Sequence, residues 1–234
     1  MIPRSRDVAE PSWSPAEASS DDGPTRAAPF LALAGNIGVG KTTLALRLAR
    51  RLDFAPLTEP LDDNPYLADF YADMPRWALP TQLRFLAARA RDTHDAIAHA
   101  RAIVQDRTCE EDVEIFAANL HAAGHMTERD WSTYRQIADL VLAGIRPPDL
   151  LVYLSASLDD LRARIARRGR VYEQSIPLDY LAALQDRYET WFARYARGPK
   201  LRVDTTGLDL AASDPALDDV IERIRRALPQ PALF

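Results

Sequence analysis

The stretch Gly35-Asn36-Ile37-Gly38-Val39-Gly40-Lys41-Thr42 constrains this chain more than any other. It fits G-x-x-x-x-G-K-[ST], the spacing of a phosphate-binding loop. An apolar run, Phe30-Leu31-Ala32-Leu33-Ala34, leads into it, and Leu44, Leu48 and Leu52 follow four residues apart on one helical face. Strand, glycine loop and helix are the context that such a loop requires. The glycines let the backbone curl so that its N–H groups point inward at phosphate oxygens. The new helix adds its unpaired N–H groups and the positive end of its dipole. Residues Gly35 to Thr43 are therefore the expected phosphate-binding segment. Within it Lys41 reaches the β- and γ-phosphates and the Thr42 hydroxyl ligates Mg²⁺. Of the 29 basic residues only Lys41 and Lys200 are lysines. A chain that otherwise uses arginine has placed a compact point charge where the loop demands one.

The 234 residues suffice for one α/β domain with a full core. A hydrophobic fraction of 47% with 27% charged residues is ordinary for a soluble globular protein. The net charge of −5 argues against general nucleic-acid binding. Cys109 is the single cysteine, which excludes an intrachain disulfide and makes a reducing, cytoplasmic setting the expectation. No apolar run approaches the ~20 residues of a membrane helix, so no membrane partner is expected. Residues 1–27 hold Pro3, Pro11, Pro15 and Pro24 among many Ser, Asp and Glu. They predict a disordered tail ahead of one domain over 28–234.

Apolar runs at 54–58, 101–105, 149–154 and 201–204 predict four more strands. Helical patterns fill the intervals at 67–71, 76–100, 111–123, 127–146, 157–168 and 178–197, with a last helix opened by Pro215. Pro80 is expected to restrict or kink the start of the long helix. Strands alternating with helices predict a parallel five-stranded sheet covered on both faces. Ligands bind at the carboxyl ends of strands in such sheets. The phosphate loop follows the first strand, Glu59 the second, and Asp106-Arg107 the third.

Three clusters narrow the chemistry. Glu59, at a strand end close to the loop, could take a proton from an attacking hydroxyl. Asp106-Arg107-Thr108 puts an acid near the metal and an arginine near phosphate or substrate. Arg162, Arg164, Arg167, Arg168 and Arg170 form a dense run ending at Arg168-Gly169-Arg170, a loop-like tip. Such a run is either a solvated helix face or a lid that stabilises charge on a transferring phosphoryl group. His121 and His125 lie four apart without an evident third ligand, and read as a surface helix end.

Taken together and in this order, these elements resemble the deoxyribonucleoside kinase family. The resemblance rests on Gly35 to Thr42, Glu59-Pro60, Asn64-Pro65-Tyr66-Leu67, Tyr71, Arg76-Trp77, Gln82 followed by Arg89, Asp106-Arg107-Thr108 with Asp112 and Phe116, and Arg164-x-x-x-Arg168-Gly169-Arg170-x-x-Glu173-Gln174-x-Ile176-Pro177-Leu178. The bacterial deoxyadenosine/deoxyguanosine kinase branch is the most similar.

The resemblance implies ATP-dependent phosphorylation of a nucleoside 5′-hydroxyl with Mg²⁺, on a phosphate-loop fold, and a homodimer formed through helices near 84–100 and 130–143. It implies Glu59 as general base and Arg107 as the arginine that holds the 5′ region. Tyr71 and Glu173 correspond to the pair on the sugar 3′-hydroxyl. Gln82 corresponds to the reader of the base edge, Arg89 and Asp112 to the polar pair of purine and deoxycytidine users, and Phe116 to one wall of the base slot. Asp106 corresponds to the metal-associated acid, and Arg164, Arg168 and Arg170 to the lid arginines. Thr81 stands before Gln82 where some animal members have a stacking Phe, so Phe85 is the candidate for the second wall. Purine deoxynucleosides are the expected acceptors, with deoxycytidine also accepted and thymidine poor. Two other readings remain: a nucleoside-monophosphate kinase of the thymidylate type, and a non-catalytic phosphate-loop subunit. The first needs a basic site for the acceptor's own phosphate. The second is disfavoured by intact Lys41, Glu59 and Arg107.

Overall fold

The computed structural model describes residues 28–58, 64–99, 101–170, 173, 176–211 and 214–229. The tail expected over 1–27 and the candidate base Glu59 lie outside the described residues. Five strands, β1 (Phe30–Gly35), β2 (Ala55–Leu57), β3 (Ile103–Asp106), β4 (Leu150–Ser155) and β5 (Lys200–Asp204), form one sheet in the order β2-β3-β1-β4-β5. Every pairing is parallel. The phosphate-loop strand β1 is central, flanked by β3 and β4, with Leu33 opposite Asp106 and Gly35 opposite Leu154. That register carries the ends of β1 and β3 to one edge of the sheet, where a ligand crevice belongs.

Strand alternation sorts side chains into two layers. Leu31 and Leu33 of β1, with Leu150, Val152 and Leu154 of β4, face α1 (Lys41–Leu52), α6 (Leu158–Arg168) and α8 (Asp214–Ala227). Phe30, Ala32 and Ala34, with Leu151 and Tyr153, face the other way, against Ile115 and an aromatic set on α7 (Leu178–Arg194): Tyr188 and Trp191. β1 and β4 are buried throughout, as a parallel sheet covered on both faces requires. A third apolar cluster lies outside the sheet, among α2 (Leu67–Ala72), α3 (Met74–Ala98), α4 (109–122) and α5 (Glu128–Ala143).

Helix boundaries follow from identifiable caps. The Asp73 side chain accepts from Arg76 N to open α3, which continues through Pro80, six residues in. The helix therefore begins two residues before the expected 76, and Pro80 does not set its start. α4 begins at Cys109 rather than 111, because Thr108 and Glu111 form a capping box. This helix comprises Cys109–Glu111, a π-helical stretch Asp112–Ala117 and Ala118–Ala122. α7 stops at Arg194, short of 197. Lys200 Nζ donates to the carbonyls of Phe192, Ala193 and Tyr195, satisfying the helix end. Gly169, at φ 72°, ends α6 in the left-handed conformation and delivers Arg170 beyond it. Among the described residues no helix is long and apolar enough to cross a membrane.

Candidate active site

The loop from Gly35 to Gly40 is shaped by contacts that only glycine permits. A Cβ on Gly35 would stand 2.5 Å from Leu154 O, and one on Gly38 would meet the Ile165 side chain at 2.7 Å; both residues have positive φ. Asn36 turns its side chain away from the cleft: Nδ2 donates to Leu181 O at 2.9 Å, and Oδ1 accepts from Ile37 N at 2.8 Å. Val39 is a core residue and Gly40 the N-cap of α1. Lys41 is buried and its ammonium donates to Gly35 O at 2.7 Å and Asn36 O at 3.0 Å, so it is held folded across the loop mouth. The Thr42 hydroxyl donates to Asp106 Oδ2, joining the loop to the end of β3. Thr43 is half-buried beside it.

A cleft of about 930 Å³ opens on this loop. Ile37, Gly38, Lys41 and Thr42 form its floor. Tyr71 of α2 and Gln82 and Phe85 of α3 form one wall; Asp106, Arg107, Asp112 and Phe116 form a second. Arg168, Arg170 and Glu173 close the third side. The structure thus gathers residues from four separate parts of the chain into one concavity. Phe85 lines it and Thr81 does not.

Two expected site residues stand elsewhere. Arg164 does not line the cleft. Its guanidinium donates to Val39 O, Thr205 Oγ1, Thr205 O and Leu208 O, tying the phosphate loop to the segment after β5. It sits one helical turn before Arg168, but its guanidinium is engaged by these four acceptors. Arg89 is buried behind the wall. Its Nε and Nη2 hold both oxygens of Asp112, at 2.8 and 3.3 Å, and Nη1 reaches the carbonyls of Asp106 and Arg107. Asp112 faces the cleft, and Arg89 orients it from behind.

Gln82, Leu86, Arg89 and Thr93 are all buried on one face of α3, four, three and four residues apart. That face is largely polar, because it packs on the end of β3. Thr93 Oγ1 donates to Arg89 O and accepts from Gln105 Nε2, which also donates to Arg107 O. Arg107 itself has φ 75°, a left-handed backbone rare outside glycine. Its N–H donates to Leu33 O, which seats the strained residue at the end of β1. Its guanidinium lies 4.2 Å from the Phe116 ring centroid, in cation–π geometry, and Nη1 donates to Tyr188 Oη at 3.2 Å. Strain of this kind collects at functional positions.

Among the described residues, the cleft acceptors Gln82 Oε1 and Asp106 Oδ1 are buried without a protein partner. A buried acceptor left unpaired is costly, and such exceptions mark places where a ligand completes the bonding. Arg168 Nε donates to Glu173 Oε2 at 2.8 Å, and Arg170 Nη1 to Glu173 Oε1 at 3.3 Å, so one buried carboxylate holds both arginines. Burial pushes the Tyr180 phenol up to about 12, with the Arg107 charge pulling the other way, and the ring lines the cleft protonated.

Several contributors escaped the sequence reading. Glu111, fully buried, accepts from Gly35 N, Thr108 N, Thr108 Oγ1 and the Tyr188 hydroxyl. Its capping-box spacing to Thr108 was a readable signal. Tyr180, Tyr188 and the π-helical turn of α4 carried no comparable signal. That turn widens the helix between Asp112 and Phe116, and such insertions recur at functional sites.

The deoxynucleoside kinase family model matches residues 31–229 of this chain. The deoxyadenosine/deoxycytidine kinase of Bacillus subtilis is 35% identical over 198 residues, covering 83% of this chain and 91% of the relative. The deoxyguanosine kinase of Lactobacillus acidophilus is 31% identical over 208 residues, covering 83% and 90%. Among solved structures, deoxyadenosine kinase from M. mycoides with the products dCMP and a flexible dCDP bound superposes with a TM-score of 0.75 at 26% identity. That match covers 84% of this chain and 98% of the other.

Proposed function

The chain belongs to the deoxynucleoside kinase family, and on that premise we propose that it transfers the γ-phosphoryl group of ATP to the 5′-hydroxyl of a purine deoxynucleoside. The observation that carries this is the single cleft where the phosphate loop, the Asp106-Arg107 end of β3 and the unpartnered Gln82 acceptor meet. The triphosphate lies on the loop backbone and Lys41. Phosphate displaces the two carbonyls that now hold the ammonium. Asp106 Oδ1 and the Thr42 hydroxyl place two hard oxygen donors side by side, a set that suits Mg²⁺, which keeps several waters and few protein ligands. Bound there, Mg²⁺ would neutralise charge on the phosphates.

The nucleoside occupies the slot between Phe116 and Phe85. Gln82 offers one acceptor and two donors to the base edge, a pattern that an adenine or cytosine edge can match. Asp112, fixed by Arg89, presents its carboxylate nearby. Tyr71 and Glu173 take the 3′-hydroxyl. Arg107 steadies the 5′ region, and Glu59 removes the 5′-hydroxyl proton as the nucleophile forms. Arg168 and Arg170 stabilise the charge on the transferring group. Relatives named as deoxyadenosine, deoxycytidine and deoxyguanosine kinases support this substrate class. The acidic Glu173 in the acceptor slot fits a neutral sugar better than an acceptor phosphate, which disfavours a nucleoside-monophosphate kinase.

The reading also includes a cytoplasmic homodimer, paired through α3 and α5; Leu140 on α5 is 78% exposed. The test is an activity panel with MgATP over the four deoxynucleosides and thymidine monophosphate. Deoxyadenosine or deoxyguanosine turns over fastest and thymidine is poor. Phosphorylation of thymidine monophosphate alone refutes the assignment.

A further inference from the structure

Glu111 lies between the two halves of the cleft, and no step described above uses it. Its side chain is fully buried, and its carboxylate receives four donors. Oε2 takes Thr108 N at 2.8 Å and Thr108 Oγ1 at 3.1 Å, which fixes the turn after Arg107. Oε1 takes Gly35 N at 3.2 Å, the first residue of the phosphate loop, and the Tyr188 hydroxyl at 2.8 Å. Tyr188 Oη in turn accepts from Arg107 Nη1. The direction is fixed at both ends. A guanidinium can only donate, so the phenol must accept from Arg107 and spend its own proton on Glu111. Burial and the neighbouring Glu111 carboxylate push the Tyr188 phenol well above its ordinary range, which keeps that proton in place. The ring is locked by stacking on Tyr153 at 5.7 Å and by an edge contact with Trp191.

We propose that Glu111 and Tyr188 are positioning residues that set the phosphate loop and the Arg107 guanidinium in one register. They form the buried chain Gly35 N–H to Glu111 to Tyr188 to Arg107. The two substrates are bound by elements far apart in sequence, and in-line transfer depends on their mutual placement. A bond network reaching both ends from one carboxylate removes that freedom. Arg107 has a left-handed backbone that the chain must hold against its preference, so a rigid side-chain anchor has a physical purpose there. The inference rests on the placement of Arg107 at the transfer centre.

The experiment compares the full-length chain with Tyr188→Phe, Glu111→Gln, the double variant and Arg107→Ala. Steady-state kinetics are run in MgATP and in deoxyadenosine, with thermal unfolding alongside. Tyr188→Phe keeps the ring packing and the Gly35 bond; kcat falls about tenfold, while the KM for ATP holds. Glu111→Gln turns an amide donor toward either Gly35 N–H or Thr108 N–H. It raises the KM for ATP as well and lowers kcat by about 10²-fold. The double variant is no worse than Glu111→Gln, because both act on one chain. Should Glu111→Gln fail to fold, Tyr188→Phe decides alone. A folded Tyr188→Phe with wild-type kcat, while Arg107→Ala is inactive, overturns the link and leaves the site assignment standing. Multiplying effects in the double variant overturn it too. An active Arg107→Ala removes the placement of Arg107 and the inference with it.

Discussion

The two halves of the cleft are built in opposite ways. The phosphate side comes from one uninterrupted stretch, Gly35 to Thr43, whose geometry is set by its own glycines and by the start of α1. The proposed acceptor side draws Tyr71 and Gln82 from α2 and α3, Arg107 and Asp112 from the β3–α4 junction, and Glu173 from beyond α6. The first half is a motif continuous in sequence, which remote groups such as Glu111 and Arg164 then tie into the fold. The second exists only because the sheet order places β3 next to β1. Damage to the phosphate half should therefore act alike on every acceptor. Damage to the acceptor half should change which nucleoside is used, and should disturb folding as well.

The largest effect is expected from the candidate general base. Glu59→Gln should keep nucleoside binding and lower kcat by about 10²–10⁴-fold, the range for loss of a general base. A kcat near wild type in single-turnover assays would remove Glu59 from the mechanism. Lys41→Met should cost about 10²–10³-fold in kcat/KM for ATP, by the same factor for deoxyadenosine and deoxycytidine. A factor that differs between acceptors would break the separation of the halves.

Changes on the acceptor side are expected to divide between stability and selectivity. Asp112→Ala leaves Arg89 buried without its carboxylate, and should destabilise the fold by about 3–5 kcal/mol in chemical denaturation. Arg89→Met with Asp112→Ala removes both charges together. It should cost less stability than Asp112→Ala and raise thymidine use relative to purines. An unchanged nucleoside ranking in a folded, active double variant would make the pair a structural salt bridge alone. The smallest effect is expected from Cys109. Burial pushes its thiol up to about 12 from 9.0, so the thiolate is scarce at pH 8. Native protein should react with a disulfide reagent far more slowly than urea-unfolded protein. Since the unfolded thiol ionises first, this group costs stability only as pH rises from 9 toward 12.

The same contrast governs what was legible. The five strands, their parallel arrangement and nearly every helix follow from apolar runs and caps, because those signals are local in the chain. Ser157 and Thr127, at the starts of the expected 157–168 and 127–146 helices, cap α6 and α5. Helix ends were misjudged where the deciding partner is remote or overlooked: Lys200 for the end of α7, the Thr108–Glu111 box for the start of α4. Arg164, Arg168 and Arg170 look alike as letters in an arginine run. Their roles separate only once Gly169 ends α6 and the segment after β5 offers Arg164 three acceptors.

The sequence by itself determined the phosphate loop, the alternation that makes a covered parallel sheet, and the resemblance that the family match bears out. Each depends on residues within a few positions of one another, or on their order. Only the tertiary structure decided that Arg89 stands behind Asp112, that Asp106 leaves one oxygen unpaired beside Thr42, and that Glu111 reaches Gly35 across 76 residues. A buried polar side chain must find partners wherever the fold brings them, and no local spacing records which partners those are.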